Sequence, residues 1–121
     1  MFTLDTNAII YYAAGDKNMI SFLSERKHEI FYLPSIVVAE FLAYPLIDSR
    51  AAALFRSFSQ QTIVINLDYS IAELSAEIKR SYHLKMADAV VAATALSTSS
   101  TLVTRNVGDF KKISALSLRK I

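Results

Sequence analysis

Four acidic residues stand apart from the other charged residues of the chain and are its first candidates for chemistry. Three of them are each the only charged residue of a long segment: Asp5 within 1–15, Glu40 within 30–47 and Asp88 within 86–104. The fourth, Asp109, follows the segment TLVTRNVG. An isolated ionised carboxylate in apolar surroundings costs several kcal/mol, so such groups are usually paired, protonated or bound to a metal ion.

The chemistry that these carboxylates predict, if they converge, is metal-ion chemistry. Two like charges about 4 Å apart repel by roughly 4 kcal/mol at an effective dielectric constant of about 20, and a divalent cation removes that repulsion. An oxygen-only ligand set in a chain without cysteine favours Mg²⁺ or Mn²⁺ over zinc. His28 and His83 lie near the ends of polar helices and are expected at the surface. Acidic clusters of this kind hold one or two metal ions that activate a water and polarise a phosphodiester.

Each acid also has an ordinary structural explanation, which the residues alone leave open. Asp5 and Asp88 could each cap the start of a helix, and Asp109 could close an Asx turn. Glu40 could pair with a basic side chain. The metal hypothesis therefore depends on where the surrounding elements place the four carboxylates.

Those elements alternate between strand and helix, a pattern typical of a parallel α/β sheet. The predicted strands span 2–4, 30–33, 62–66, 101–104 and 116–120. The predicted helices span 6–14, 18–27, 35–44, 49–60, 70–82 and 86–97, with a polar turn at 106–109. Right-handed crossovers between such strands give a three-layer α/β/α sandwich with a central, mostly parallel sheet of four to five strands.

This order of elements can bring the four carboxylates to one edge of the sheet. Asp5 and Asp109 follow the first and fourth predicted strands, and Asp88 opens the helix that leads into the fourth. Glu40 lies one to two turns into the helix after the second strand. Ligands of parallel sheets bind beyond the carboxyl ends of the strands, so this edge is the predicted site.

Length and composition narrow the class of protein. A chain of 121 residues with 53% hydrophobic residues and only two glycines and two prolines predicts one folded domain over 1–121. The absence of cysteine excludes disulfides, cysteine-bound zinc and thiol nucleophiles. The longest uncharged stretches are too weakly apolar to span a membrane, and no basic region precedes Asp5 as in a signal peptide. We therefore expect a cytoplasmic protein.

Four ordered sequence blocks resemble the PIN-domain ribonucleases, and specifically the VapC-type toxins of toxin–antitoxin pairs. The blocks are LDTNAII, IVVAEFL, KMADAVVAATAL and TLVTRNVGDF. They are spread over residues 2–110, so the resemblance covers nearly the whole chain. Each block contains one of the four carboxylates, and together they imply a PIN-like fold.

The resemblance implies a role for each matched residue. Asp5, Glu40, Asp88 and Asp109 would hold Mg²⁺ or Mn²⁺ and position a water for attack on RNA, with Asp5 and Asp88 as direct ligands. The supporting polar residues would be Asn7, Thr104 and Asn106, and Arg105 would contact phosphate. The resemblance also implies a homodimer and a cognate antitoxin whose C-terminal segment lies in the acidic groove, where an arginine would meet the carboxylates.

Two other functions are compatible with the sequence. A phosphatase could use Asp5 as a nucleophile, although the haloacid-dehalogenase type requires a second aspartate where this chain has Asn7. A catalytically inactive PIN-like module could instead bind RNA or protein. The charge distribution favours a polyanionic partner: without the four acids the net charge rises from +2 to +6, and residues 101–121 hold five basic residues against one acid.

Overall fold

A single parallel sheet of five strands organises the chain, and the computed structural model describes all of residues 1–121. The strands are β1 (Phe2–Leu4), β2 (Phe31–Pro34), β3 (Ile63–Ile65), β4 (Thr101–Thr104) and β5 (Leu118–Lys120). Their order across the sheet is β3-β2-β1-β4-β5, and every neighbouring pair is parallel. The predicted α/β class is confirmed, with five strands and no antiparallel pair.

Seven helices connect these strands. They are α1 (Thr6–Ala13), α2 (Lys17–Ser24), α3 (Ser35–Leu42), α4 (Ser49–Ser59), α5 (Tyr69–Tyr82), α6 (Met86–Ser97) and α7 (Val107–Phe110). The chain moves outward from β1 to β3 through α1–α4, then returns across the sheet through α5 and α6 to β4. Because such crossovers are right-handed, these two groups of helices cover opposite faces of the sheet.

Aspartate residues determine where four of the helices begin. The side chains of Asp5, Asp16, Asp48 and Asp68 each accept a hydrogen bond from the backbone N–H three residues later. Each bond satisfies one of the free N–H groups at a helix start. The capping role that the sequence left open for Asp5 is therefore present.

The segment around Asp109 differs from the expected turn. The sequence predicts a polar turn over 106–109, but the chain forms the short helix α7 there. Phe110 explains the difference, because its ring is only 1% exposed and fixes the end of this helical turn in the core. The Lys111 N–H then donates to the Val107 carbonyl at 2.9 Å.

The core is one cluster of 24 buried hydrophobic residues on both sides of the sheet. The segment Ala89–Ala95 of α6 is buried throughout, and α6 packs closely against α5. Its alanines allow this close approach, which keeps the start of α6 near the sheet edge. No helix of the chain has the length and apolar character needed to cross a membrane.

Candidate functional site

One cleft of about 370 Å³ brings together all four carboxylates that the sequence singled out. Asp5, Glu40, Asp88 and Asp109 come from the end of β1, from α3, from α6 and from α7, and all line this cleft. Asn7, Asn106 and Lys85 line it as well. The cleft lies beyond the carboxyl ends of β1 and β4, where a parallel sheet is expected to bind its ligand.

Asp5 is the most buried of the four carboxylates, at 6% exposure. It follows β1 directly, and its Oδ1 accepts the Ala8 N–H at 2.7 Å. Burial raises the pKa of Asp5, hydrogen bonds from Thr104 and Ala8 oppose that rise, and the negative charges of the cleft add to it. The fold thus holds a carboxylate in a place that disfavours its ionised form.

Asp88 faces the same electrostatic problem from α6. It lies in the first turn of that helix and does not cap it, because the N-cap position is occupied by Lys85. Desolvation raises the pKa of Asp88, and the negative charges of Asp109 and Glu40 raise it further, against the opposing charge of Lys85. The Asp88 carboxyl is therefore within the field of two other acids.

Glu40 has a hydroxyl partner and no basic partner. The Thr6 hydroxyl donates to Glu40 Oε1 at 2.5 Å, and no salt bridge reaches this carboxylate. The pairing with a basic side chain that the sequence left open is absent. Thr6 was not singled out among the site residues, although its position directly after Asp5 was a usable signal.

Asp109 is held by Asn106 across the start of α7. The Asn106 side-chain amide donates to Asp109 Oδ2 at 2.8 Å, and the Asn106 backbone N–H donates to the Thr104 hydroxyl oxygen at 2.9 Å. Thr104 is fully buried, and its hydroxyl opposes the rise in the pKa of Asp5. Thr104 and Asn106 thus lie between the carboxylate at the end of β1 and the one on α7.

Arg105 does not line the cleft. Its guanidinium pairs with Asp16 at 2.6 Å and lies over the ring of Tyr11, 3.7 Å from the ring centroid. The basic residue that does line the cleft is Lys85, which was not among the predicted site residues. A lysine three positions before Asp88 was the only available signal for it.

The donor set of the cleft fits a hard divalent cation, because every ligating candidate is a carboxylate or amide oxygen. The mutual charges that raise the pKa of Asp5 and Asp88 are those that a cation would neutralise. As the side chains lie, no three acidic or histidine side chains converge in a ligating arrangement. Thr6, Asn106 and Ala8 each donate to one oxygen of a different carboxylate.

Comparison with known proteins gives the family of this fold. The family model described as the PIN domain matches residues 2–116. A chain of VapBC2 from Rickettsia felis, solved with a DNA fragment from the promoter, aligns with a TM-score of 0.85 and 20% identity over 99% of this chain and 98% of its own. A chain of a toxin–antitoxin complex from Klebsiella pneumoniae aligns with a TM-score of 0.84 and 25% identity over 100% of both chains.

A third solved chain, from FitAcB of Neisseria gonorrhoeae, has a TM-score of 0.74 and 28% identity, and covers 98% of this chain and 96% of its own. No curated protein matches the sequence. The predicted membership of the PIN-domain family is confirmed by the family match, and the VapBC2 chain shares its fold. The chain belongs to the PIN domain family.

Proposed function

We propose that this chain is a Mg²⁺- or Mn²⁺-dependent endoribonuclease that acts in the cytoplasm as the toxin of a type II toxin–antitoxin pair. The observation that carries the proposal is the meeting of four carboxylates from four separate elements in one cleft of a PIN domain. Toxin–antitoxin complexes among the structural neighbours support the biological role.

Asp5 and Asp88 are the carboxylates that would hold the cation, and Glu40 and Asp109 would bind it directly or through water. A bound divalent cation supplies Lewis-acid polarisation of the phosphodiester and lowers the pKa of an attacking water. Thr6 orients Glu40 by hydrogen bonding, and the Thr104 hydroxyl favours the ionised form of Asp5.

The rest of the cleft is suited to an RNA backbone. Asn7 and Asn106 present amide groups in the cleft, and Lys85 is its one basic side chain. Residues 101–121 hold five basic residues against one acid, and such an excess of positive charge attracts a polyanion. A cation held by the carboxylates would make the acidic centre compatible with phosphate.

The decisive experiment compares cleavage of a structured RNA by matched variants. Asp5→Asn, Glu40→Gln and Asp88→Asn should each abolish cleavage and leave the circular dichroism spectrum unchanged. Asp68→Asn is the control, because Asp68 also caps a helix but lies outside the cleft. EDTA should stop cleavage by the wild type, and Mg²⁺ or Mn²⁺ should restore it. Full activity in all three cleft variants would refute the proposal, and RNA binding without cleavage would favour an inactive module.

We also propose an antitoxin as the protein partner. A mostly apolar groove of about 300 Å³ lies between α1, α3 and α4 and is lined by Phe41, Tyr44 and Leu46. Leu46 is 80% exposed, and Ile10 lines both this groove and the acidic cleft. The groove and the cleft therefore adjoin at Ile10. A segment of the antitoxin can fill the groove with apolar side chains and reach the carboxylates with a basic side chain.

The partner proposal is tested by co-expression with the product of the adjacent reading frame. A stable complex with the wild type is expected, and Leu46→Asp should weaken it. Ile30→Asp is the control, since Ile30 is also exposed but does not line the groove. Equal binding by wild type and the Leu46 variant would place the partner elsewhere.

A homodimer is the third part of the proposal. The edge strand β3 and the residues after it expose an apolar patch, which we call the β3 patch: Ile63, Val64, Leu67 and Tyr69. An uncovered apolar edge strand is a ready template for pairing with another chain. A second copy of this chain can cover it by symmetric pairing.

A further inference from the structure

Arg105 lies between Thr104 and Asn106 in the sequence, but its side chain contacts Asp16 and Tyr11. Its Nη2 donates to Asp16 Oδ2 at 2.6 Å, and its guanidinium carbon lies 3.7 Å from the centroid of the Tyr11 ring. Its Nε is buried and has no hydrogen-bond partner. The guanidinium is thus held against Asp16 and Tyr11 and does not line the cleft.

Both partners of Arg105 belong to the corner between α1 and α2. Asp16 caps α2 through Oδ1, which accepts the Met19 N–H at 2.9 Å, so its two carboxylate oxygens have separate tasks. The Asp16 N–H donates to the Tyr11 carbonyl at 3.0 Å, and this bond joins the two partners directly. A guanidinium held by an ion pair and an aromatic face has little orientational freedom.

The loop that Arg105 holds bears the polar groups of one side of the cleft. Thr104 precedes it and favours the ionised form of Asp5, and Asn106 follows it and donates a hydrogen bond to Asp109. The Asn106 N–H also donates to the Thr104 hydroxyl at 2.9 Å. A shift of the backbone at Arg105 therefore moves Asn106, and with it the contact that orients Asp109.

We propose that Asp16, Arg105 and Tyr11 form a clamp that positions Asn106 and Asp109 at the cleft, so that Arg105 is a positioning residue and not a phosphate ligand. The inference rests on the proposed function for its catalytic consequence. Its structural part, the fixing of the β4–α7 loop, stands independently of what the cleft binds.

The test uses Arg105→Ala and Asp16→Asn in the full chain. The asparagine of the Asp16→Asn variant retains the capping oxygen for the Met19 N–H and removes the charged oxygen that Arg105 contacts, so α2 stays intact. Arg105→Lys keeps the charge but not the planar fork, and should fall between wild type and Arg105→Ala.

Two matched controls separate the clamp from general effects. Arg26→Ala removes another arginine that lies over an aromatic ring, 4.3 Å from the Phe22 centroid, but is remote from the cleft. Asp68→Asn alters another capping aspartate without an arginine partner. Both controls should behave as wild type in every cleft measurement.

Three readouts decide the proposal. Hydrogen exchange at the amides of Asn106 and Lys111 should become faster in both clamp variants, and Mn²⁺ affinity measured by electron paramagnetic resonance should fall by about tenfold. The kcat for RNA cleavage should fall by about tenfold while KM changes by less than about twofold.

A different set of results would refute the clamp proposal. A raised KM in Arg105→Ala, with wild-type amide exchange and wild-type Mn²⁺ affinity, would make Arg105 a substrate ligand. If the wild type cleaves no RNA, the proposed function fails, whereas the exchange measurement still decides whether the clamp fixes the loop. Wild-type exchange in both clamp variants would refute it in either case.

Discussion

The Thr6 hydroxyl donates a 2.5 Å hydrogen bond to Glu40 Oε1, which joins the first residue of α1 to the sixth residue of α3. Thr6 directly follows Asp5. Two consecutive residues therefore supply the buried carboxylate of Asp5 and the hydroxyl that orients Glu40. Glu40 is otherwise exposed and unpaired by any basic group. Its orientation toward the cleft therefore depends on a single hydroxyl.

Replacing Thr6 with valine tests this dependence. Thr6→Val preserves the shape of the side chain and removes the donor, so Glu40 gains rotational freedom. We expect RNA cleavage to fall by about tenfold, because groups that orient metal ligands are worth about 10–100-fold. Steady-state cleavage as a function of Mn²⁺ concentration measures the effect. Thr62→Val, which removes a hydroxyl bonded to a helix carbonyl outside the cleft, should leave cleavage unchanged.

A second prediction concerns the stability cost of the acidic centre. Burial, helped by neighbouring negative charge, raises the pKa of Asp5 and of Asp88 above 3.8. A raised carboxyl pKa means that the folded chain binds protons more tightly than the unfolded chain, so stability falls as pH rises through the raised pKa and stays reduced above it. Asp5→Asn and Asp88→Asn should therefore raise the Tm of the metal-free protein at pH 7 by about 2–4 °C.

Calorimetry in EDTA measures that change. The side-chain oxygen of the asparagine in Asp5→Asn can still accept the Ala8 N–H and keep α1 capped, so loss of the cap does not confound the result. Lowering the pH should reduce the difference between wild type and each variant. If both variants melt below the wild type at pH 7, the carboxylates stabilise the metal-free fold and this account of the cleft is wrong.

Much of this architecture is readable from the sequence because the signals are local. The β-branched strand at 101–104 and the helix at 86–97 have the predicted bounds, since periodicity and short uncharged runs specify them. Three of the four carboxylates were identifiable because a lone acid in an apolar segment is unusual, and Asp109 because it follows a predicted strand. The topology then brought all four to one edge. Neither inference required knowledge of contacts distant in sequence.

The parts that could not be predicted depend on long-range contacts. Asp16 pairs with Arg105, which lies 89 positions away in the sequence. Neither residue type by itself indicates which partner it has. The helix α7 forms because the buried ring of Phe110 fixes a segment whose residues otherwise favour a turn. The predicted second helix at 18–27 instead ends at Ser24, and its start is set by the capping contact of Asp16.

The ion pair of Asp16 predicts a dependence of stability on acid. The Met19 N–H, and then the Arg105 guanidinium, lower the pKa of Asp16 below its ordinary value of 3.8. A lowered pKa contributes stability that is fully present above 3.8 and is lost as pH falls through the folded-state pKa. The Tm difference between wild type and Asp16→Asn should thus be largest near neutral pH and disappear in acid. A difference that grows on acidification would contradict this sign.

Lys85 should contribute to substrate binding through its charge. As the one basic side chain of the cleft, it is placed to contact a phosphate, and Lys85→Gln removes that contact. We expect weaker RNA binding across sequences and a slope of log K against log salt that is smaller by about one. Both lysine variants are made in the Asp5→Asn protein, so that fluorescence anisotropy measures RNA binding without cleavage. Lys27→Gln, outside the cleft, is the matched control, and an identical salt slope for both variants would remove Lys85 from the binding surface.

The β3 patch predicts the oligomeric state. Ile63 and Val64 are 49% and 41% exposed on the edge strand, and an apolar edge of this kind is a template for pairing with another chain. Val64→Lys places a charge in the patch and should convert the proposed dimer to a monomer, while the fold persists because the side chain is not part of the core. Sedimentation velocity at micromolar concentration distinguishes the two states. Arg50→Glu, which changes an exposed charge on α4, is the control and should leave the dimer intact. A wild-type monomer at that concentration would contradict the proposal that a second copy covers the β3 patch.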